Sequence, residues 1–346
     1  MKRPLSICFF SNTLPRLFTA FLTLSLFLLP GTNAFSESLP VAAFSNPDFT
    51  AEMTQEWIDK PIDRSLKKRE APVDLKVMMD QQMFRILGPA ITQYAKKEGI
   101  HIAMSDGTCG HSAGAIFNKK ADMGGFCCPP RDLDRLPGLR FYTLGITPVA
   151  ILVHPDNPVN NLSTDEAQEV FAGTIDRWSQ LAATNGEKGP NQPIFPVARL
   201  HCKTRPGHWR LILDNEDSFS PELQEVGTIP DMINTVATNP RAIGHVALWF
   251  GVEHYRKYGN TRILHINHTD PFDIKGVAAG DYPFYKTFSV TVWEGESVAN
   301  PHAKKLVDFL LQEVERLDPR YGIVPPSQLK KAGWRFYGHE LIGDNS

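Results

Sequence analysis

The chain has 346 residues and an almost balanced charge, with 36 Lys and Arg residues against 38 Asp and Glu residues. The formal net charge of -2 gives no indication of a surface that binds nucleic acid or anionic lipid. With 42% hydrophobic and 21% charged residues, the composition is that of a globular protein, long enough for two domains of ordinary size.

Residues 1–34 have the pattern of an export signal. Basic residues lie before the apolar run 17–29, which is shorter than the about 20 residues that a membrane-spanning helix needs. Small residues end this region and predict cleavage after Ala34, with an uncleaved N-terminal anchor as the alternative. No later segment is apolar enough to cross a bilayer, so the sequence predicts a soluble protein that is exported to the periplasm.

Residues 35–72 are polar, rich in serine and then charged, and we interpret them as an N-terminal extension. Beyond them, predicted strands alternate with predicted helices. The predicted strands lie at 74–79, 100–104, 121–125, 144–154, 194–199, 241–246 and 284–293. The predicted helices lie at 83–98, 112–120, 163–171, 207–214, 229–238 and 303–317. The alternation predicts an α/β protein with mixed, mostly parallel sheets.

The run 161–181, NLSTDEAQEVFAGTIDRWSQL, is the most informative stretch of the chain. Ser163 is predicted to cap a helix, and Glu166, three residues later, completes a capping box. Gly173 then allows a tight turn, and Trp178 lies in a second short helical turn. This pattern closely resembles a segment of the periplasmic phosphate-binding proteins and their relatives.

Five further segments resemble the same family and follow the same order along the chain. They are ADMG at 121–124, PIFPVAR at 193–199, NPRAIGHV at 239–246, GDYPFYKTF at 280–288 and GIVP at 322–325. Each segment is weak evidence alone, but their common order over about 74–326 is specific. The resemblance implies a type 2 periplasmic-binding-protein fold, in which two crossover hinge strands join two α/β lobes around a ligand cleft. By analogy, lobe one comprises 73–152 plus 272–346, and lobe two comprises 153–271.

The same resemblance implies binding without catalysis. A member of this family captures a small oxyanion or a related inorganic ligand and passes it to an ABC permease or to a membrane sensor. We therefore expect a solute-binding protein that acts as a monomer, with no nucleic-acid partner and no enzymatic reaction.

In the family, the anion lies among helix N-termini, where N–H groups and the helix dipole favour a negative ligand. Gly107 and Gly110 allow the same close approach here, and Arg199 stands where the anion-pairing arginine of the family is expected. The predicted ligand-binding residues are Gly107, Thr108, Cys109, Gly110, Cys127, Cys128, Arg199 and His208. We assign Lys286 a supporting role only, and interpret His245 as a surface residue or a satisfied one.

The resemblance places all four cysteines that follow the signal on the three ligand loops. Cys109 takes the place of a hydroxyl donor at a helix start, and Cys127 lies about where the family has its acidic acceptor. The candidate metal ligands on these loops are Cys109, Cys127, Cys128, Cys202, His111 and His201. Thiolate and imidazole groups suit a soft ion such as copper(I), zinc or arsenite, and the sequence identifies no other cofactor.

Other interpretations of these cysteines stay open. In an exported protein one or two disulfides are the default, for instance between Cys109 and Cys127 or Cys128. Inert thiols around an ordinary oxyanion are a second alternative. A thiol enzyme with His208 as base has little support, because the chain lacks a triad order, a CxxC pair and a cofactor fingerprint. An interaction module that uses the N-terminal extension is the last alternative.

Overall fold

A computed structural model of the chain describes residues 44–65, 73–201, 205, 207–248, 256–296 and 298–344. The predicted signal peptide and Cys202 lie outside these residues. The described helices are α1 (Gln55–Asp59), α2 (Gln81–Glu98), α3 (Cys109–Phe117), α4 (Thr164–Ala172), α5 (Ile229–Thr238), α6 (Ile274–Ala279), α7 (Pro301–Val314) and α8 (Pro326–Lys331). None of the helices in these ranges combines the length and the apolar character that a membrane crossing requires.

The strands of the same ranges form one large mixed sheet and two small ones. They are β1 (Leu75–Asp80), β2 (Ile102–Gly107), β3 (Met123–Phe126), β4 (Leu139–Val153), β5 (Asn161–Leu162), β6 (Phe195–Ala198), β7 (Gln224–Glu225), β8 (Ala242–Ala247), β9 (Arg262–Ile263), β10 (His265–Ile266), β11 (Tyr285–Trp293), β12 (Arg335–Tyr337) and β13 (Glu340–Gly343). The large sheet has the order β2-β1-β3-β11-β4-β8-β6-β7, with β9 on β4.

The pairing of the large sheet changes from its ends to its centre. At one end β1 is parallel to β2 and β3, and at the other end β6 is parallel to β7 and β8. In the centre, β11 is antiparallel to β3 and β4, and β4 is antiparallel to β8. The predicted parallel pairing therefore describes the two ends, and the strands that join them run antiparallel to their neighbours.

Strand β4 connects the two halves of the sheet. Its 15 residues are buried apart from Arg140. The first part pairs with β11, and the part that begins at Val149 pairs with β8. The chain returns beside it, because Tyr285 pairs with Pro148 and the Phe284 carbonyl accepts a hydrogen bond from Val149 N at 2.8 Å. The two crossing segments are therefore antiparallel neighbours.

A glycine marks an irregularity in the pairing of β4 with β11. The register shifts between Phe288 and Ser289, and Phe288 is the partner of Gly145. Gly145 has a φ of 145°, and a Cβ atom at this position would lie 2.5 Å from the Val324 carbonyl oxygen. Because that contact is with backbone, only glycine fits here without a shift of the chain.

Side-chain caps set the starts of two helices. In α4, Ser163 Oγ accepts a hydrogen bond from Glu166 N at 3.0 Å, and the Glu166 carboxylate accepts one from Ser163 N at 2.7 Å. This is the predicted capping box, and it is confirmed. The helix predicted at 112–120 instead begins at Cys109, because the Thr108 side chain caps it.

One predicted helix is wrong. The segment 207–214 forms only a short 3-10 turn, His208–Leu211. Gly207 precedes this turn with a φ of 83°, and Asn215 caps another short turn after it. Apolar residues at helical spacing here cover less than two turns, and the backbone on both sides departs from the helix.

The hydrophobic core is divided between the two halves of the sheet. One cluster includes Leu75 of β1, Ile91 of α2 and Leu306 of α7, which are all 0% exposed. A second cluster includes both Trp178 and Trp334. The predicted boundaries assign these two tryptophans to different lobes, so the C-terminal segment contacts the core of predicted lobe two. The lobe boundaries stay a prediction.

The described part of the N-terminal extension packs on the sheet half that contains β1. Trp57 Nε1 of α1 donates a hydrogen bond to the Phe117 carbonyl at 2.8 Å. The Lys119 ammonium lies between two indole rings, 4.3 Å from the centroid of Trp57 and 4.0 Å from that of Trp293. Cation–π attraction of this kind fastens α1 to the end of α3.

Candidate functional site

The N-terminus of α2 forms one side of the site. Asp80, the last residue of β1, caps the helix and accepts a hydrogen bond from Gln82 N at 2.9 Å. Its side chain is 2% exposed. Burial raises the pKa of the Asp80 carboxyl well above its usual range, Cys127 adds to the rise, and Lys286 opposes it. A buried carboxyl, a thiol and an ammonium group therefore act on one another at this helix start.

The N-terminus of α3 follows the end of β2, the strand next to β1 in the sheet. Thr108 Oγ1 accepts a hydrogen bond from His111 N at 3.3 Å, and His111 Nδ1 accepts one from Thr108 N at 3.2 Å. A Cβ atom on Gly107 would lie 2.8 Å from His111 Nδ1, so glycine makes room for this ring. His111 is exposed, and its ring serves the capping box of α3.

The three described cysteines lie together at the start of α3 and the end of β3. Cys109 Sγ is 3.1 Å from Cys127 Sγ and 3.9 Å from Cys128 Sγ, and the sulfurs of Cys127 and Cys128 are 4.0 Å apart. All three side chains are 0% exposed. These distances exceed the about 2.05 Å of a disulfide bond, so no disulfide joins the three residues in the structure.

Arg205 approaches this cluster from the loop that follows β6. Its guanidinium forms two hydrogen bonds of 2.8 Å with the Asp134 carboxylate, and both side chains are 3% exposed. Burial lowers the pKa of Arg205, but Asp134, with smaller contributions from Cys109 and Cys128, leaves the pKa raised. The guanidinium also lies 5.1 Å from the Phe126 ring centroid. Arg205 thus stays charged beside the sulfur atoms, and its charge is matched by Asp134.

A small cavity separates α2 from the loop after β6. Its volume is about 20 Å³, which is room for about one water molecule. The polar residues that line it are Gln82, Arg199, His201, His245 and Lys286. Arg199 Nε donates a hydrogen bond to the Gly227 carbonyl at 2.9 Å. Cationic and imidazole side chains thus converge on the gap between the two halves of the sheet.

A much larger cavity, of about 580 Å³, adjoins the site on the side of the N-terminal extension. His201 and Arg205 line it, together with Met53 and Phe117. Its lining is mainly apolar, although the start of α3 at Thr108 and Gly110 borders it. The charged side chains and the thiols therefore identify the polar site, and the size of a cavity alone does not.

The structure brings together only part of the predicted site. Cys109, Cys127 and Cys128 form one cluster, Gly107, Thr108 and Gly110 surround the start of α3, and Arg199 and His201 line the small cavity. Cys202 lies outside the described residues, and so does the side chain of His208. The group of metal-ligating atoms within 4.8 Å of one another contains, in the described part of the chain, the three cysteines and neither His111 nor His201.

Sequence reasoning missed several residues of the site. Asp80 and Gln82 were identifiable, because an Asp between a predicted strand and an apolar helical pattern is an N-cap signal. Lys286 has a more central position than the supporting role predicted for it, since its side chain is 6% exposed and faces the cavity. His245 also faces the cavity and is 7% exposed. Arg205 and its partner carried no local signal, because the pair joins segments 71 residues apart.

Known proteins share this architecture. Residues 67–314 match the sequence profile of a family described as the PBP superfamily domain. The phosphate-binding protein PstS of Bacillus subtilis (strain 168) is 28% identical over 196 residues, which are 55% of this chain and 58% of that protein. The match thus spans less than two thirds of that relative.

Solved structures agree in fold. An ABC-type phosphate transport receptor from Vibrio cholerae superposes with a TM-score of 0.58 at 19% identity, covering 73% of this chain and 100% of that one. A substrate-binding protein from Clostridium perfringens, solved with bound phosphate, gives a TM-score of 0.57 at 14% identity and covers 72% of this chain and 98% of that one. The predicted resemblance and the predicted two-lobed fold are confirmed.

Proposed function

Because this chain belongs to the PBP superfamily domain family, we propose that it is a solute-binding receptor that captures a small inorganic ligand between its lobes. The observation that carries this proposal is the convergence of Arg199 and Lys286 on the cavity beside the first turn of α2. Cationic side chains and a helix N-terminus together favour a ligand with oxygen atoms that accept hydrogen bonds.

Capture of such a ligand requires movement of the lobes. The cavity of about 20 Å³ holds about one water molecule, which is less than the space that a tetrahedral oxyanion needs. The side chains around it come from α2 and β11 on one side and from the loop after β6, α5 and β8 on the other. Opening about the two crossing segments separates these two sets, and closure brings them back onto a ligand.

The proposed receptor delivers its ligand to an ABC permease or to a membrane sensor and catalyses no reaction. The name of the relative PstS and the predicted export signal support a periplasmic location and such a partner. The monomeric state stays a prediction.

Isothermal titration of the mature protein with phosphate, arsenate, sulfate and arsenite tests the proposal. We expect one of these compounds to bind at one site per chain. The variant Arg199→Met should weaken an oxyanion by about 10- to 100-fold, since a charged hydrogen bond contributes roughly 1.5–3 kcal/mol. Arg177→Met is the matched control, because Arg177 is bonded to Asn191 away from the cavity. Absence of heat with all four compounds would refute the receptor function.

A further inference from the structure

We propose that Cys109, Cys127 and Cys128 bind one trivalent metalloid, as arsenous acid or its antimony analogue, through three sulfur bonds. This inference rests on the receptor function proposed above and names the ligand class of that receptor. It follows from the spacing of the three sulfurs, from their burial and from the charge around them.

The sulfur triangle has the size of a single coordination site. The distances of 3.1, 3.9 and 4.0 Å place the three Sγ atoms on a circle of about 2.15 Å radius, slightly less than the roughly 2.3 Å bond between a thiolate and zinc. An atom bonded to all three sulfurs at that length therefore lies about 0.8 Å out of their plane. Three bonds on one side of the central atom are the pyramidal geometry of trivalent arsenic and antimony, whose lone pair occupies the other side.

The number of ligands favours the same class of ion. In the described part of the chain, the ligand atoms that lie within 4.8 Å of one another belong to these three cysteines. Structural zinc sites are almost always tetrahedral and take four ligands. A three-sulfur set matches an element that forms three bonds to sulfur and no fourth.

The charge of the product suits a buried site. When arsenous acid reacts, three S–H bonds and three As–OH bonds break, three As–S bonds form, and three water molecules leave. Arsenic stays trivalent, and neither a proton nor an electron is left over, so the adduct is neutral. Copper(I) or zinc held by three thiolates carries a net negative charge, which side chains that are 0% exposed disfavour.

The neighbouring arginine does not change this conclusion. Arg205 lies close enough to act on Cys109 and Cys128, but its two donor nitrogens are each 2.8 Å from the Asp134 carboxylate. The pair is neutral as a whole, so Arg205 brings no net charge to the site. The other nearby cations also face carboxyl groups, since Arg131 lies 3.3 Å from Asp134 and Lys286 acts on Asp80.

Arsenite titration of the reduced mature protein tests this proposal. We expect one arsenic per chain in native mass spectra, and protection of the three cysteines together from alkylation, mapped by peptide mass. Each of Cys109→Ser, Cys127→Ser and Cys128→Ser should weaken binding by more than about 100-fold, because loss of even a supporting partner of a ligand costs 10- to 100-fold. Circular dichroism checks that each variant is folded. Protection of the three cysteines from alkylation is measured on the chain without substitutions, so this part of the test does not depend on the folding of a variant.

The outcomes separate this inference from the receptor function. Binding of phosphate, arsenate or sulfate without arsenite would leave the receptor function standing and overturn the metalloid site. Silence with every compound would overturn both. Equal loss of arsenite binding in Cys202→Ser would overturn the three-sulfur assignment, and displacement of arsenite by equimolar zinc or copper(I) would overturn the preference for a metalloid. Retained affinity in Cys202→Ser together with the protection of the three cysteines would support it.

Discussion

The buried pair of Arg205 and Asp134 should hold the two lobes closed, and Arg205→Met tests this role. The predicted lobe boundaries place Asp134 in lobe one and Arg205 in lobe two. On those boundaries the two hydrogen bonds of 2.8 Å join the predicted lobes, and both side chains are 3% exposed. Methionine keeps most of the volume of the arginine stem but removes the charge and the donors.

The size of the effect follows from the burial of the pair. Removing one partner of a buried ion pair typically costs about 3–5 kcal/mol, because the other charge is left without compensation. Asp134 keeps a second cation, since Arg131 lies 3.3 Å away and is 28% exposed. We therefore expect a loss of about 2–3 kcal/mol, which lowers the Tm by roughly 3–5 °C in a chain of this size.

Thermal unfolding followed by circular dichroism measures this loss, and small-angle scattering reports whether the lobes open. Arg140→Met is the matched control, because the Arg140–Glu294 pair is 4.0 Å long, its side chains are 63% and 34% exposed, and such surface pairs contribute about 0–1 kcal/mol. If the Tm and the radius of gyration of Arg205→Met equal those of this control, the pair does not hold the lobes together.

Three other predictions follow from the packing. Gly145→Ala should destabilise the fold by at least about 2 kcal/mol in urea unfolding, since its Cβ would lie 2.5 Å from the Val324 carbonyl oxygen. Its control, Gly114→Ala in α3, meets no atom within 4 Å and should stabilise by about 0.5–1 kcal/mol; equal effects would contradict the argument. Ser163→Ala should cost about 1 kcal/mol in the same assay through loss of the cap, and no measurable change would refute that role. Trp57→Ala should cost about 1–2 kcal/mol and speed proteolysis before residue 66, whereas unchanged cleavage would show that the stacked lysine does not fasten this segment.

The sequence was most informative where a local signal sets the structure. Ser163 and Glu166 form the expected capping box, because the atoms that make it lie within one turn of helix. The predicted strand at 144–154 corresponds to β4, which begins earlier, at Leu139. Its additional residues are buried by β11, a partner that lies more than 140 residues away in sequence and that no local pattern reveals.

The candidate site was predictable only through the family resemblance. Three of the four cysteines assigned to the ligand loops do lie within 4.0 Å of one another, although they belong to two separate segments. His111 was expected to join them, but a histidine at the third position of a helix is equally able to cap it, and the structure uses it so. The sequence alone does not distinguish a metal-binding His111 from a helix-capping one, since the two roles differ only in the direction of the imidazole ring.

Helix α3 has a different neighbour at each end. It begins at Cys109 among the sulfur atoms, and it ends at Phe117, whose carbonyl is held by Trp57 of the segment before the first lobe. Nine residues of helix make a stiff rod about 14 Å long. The contact with Trp57 and the sulfur cluster therefore share one rigid element, so a displacement of Phe117 would also tilt the end of the helix that carries Cys109.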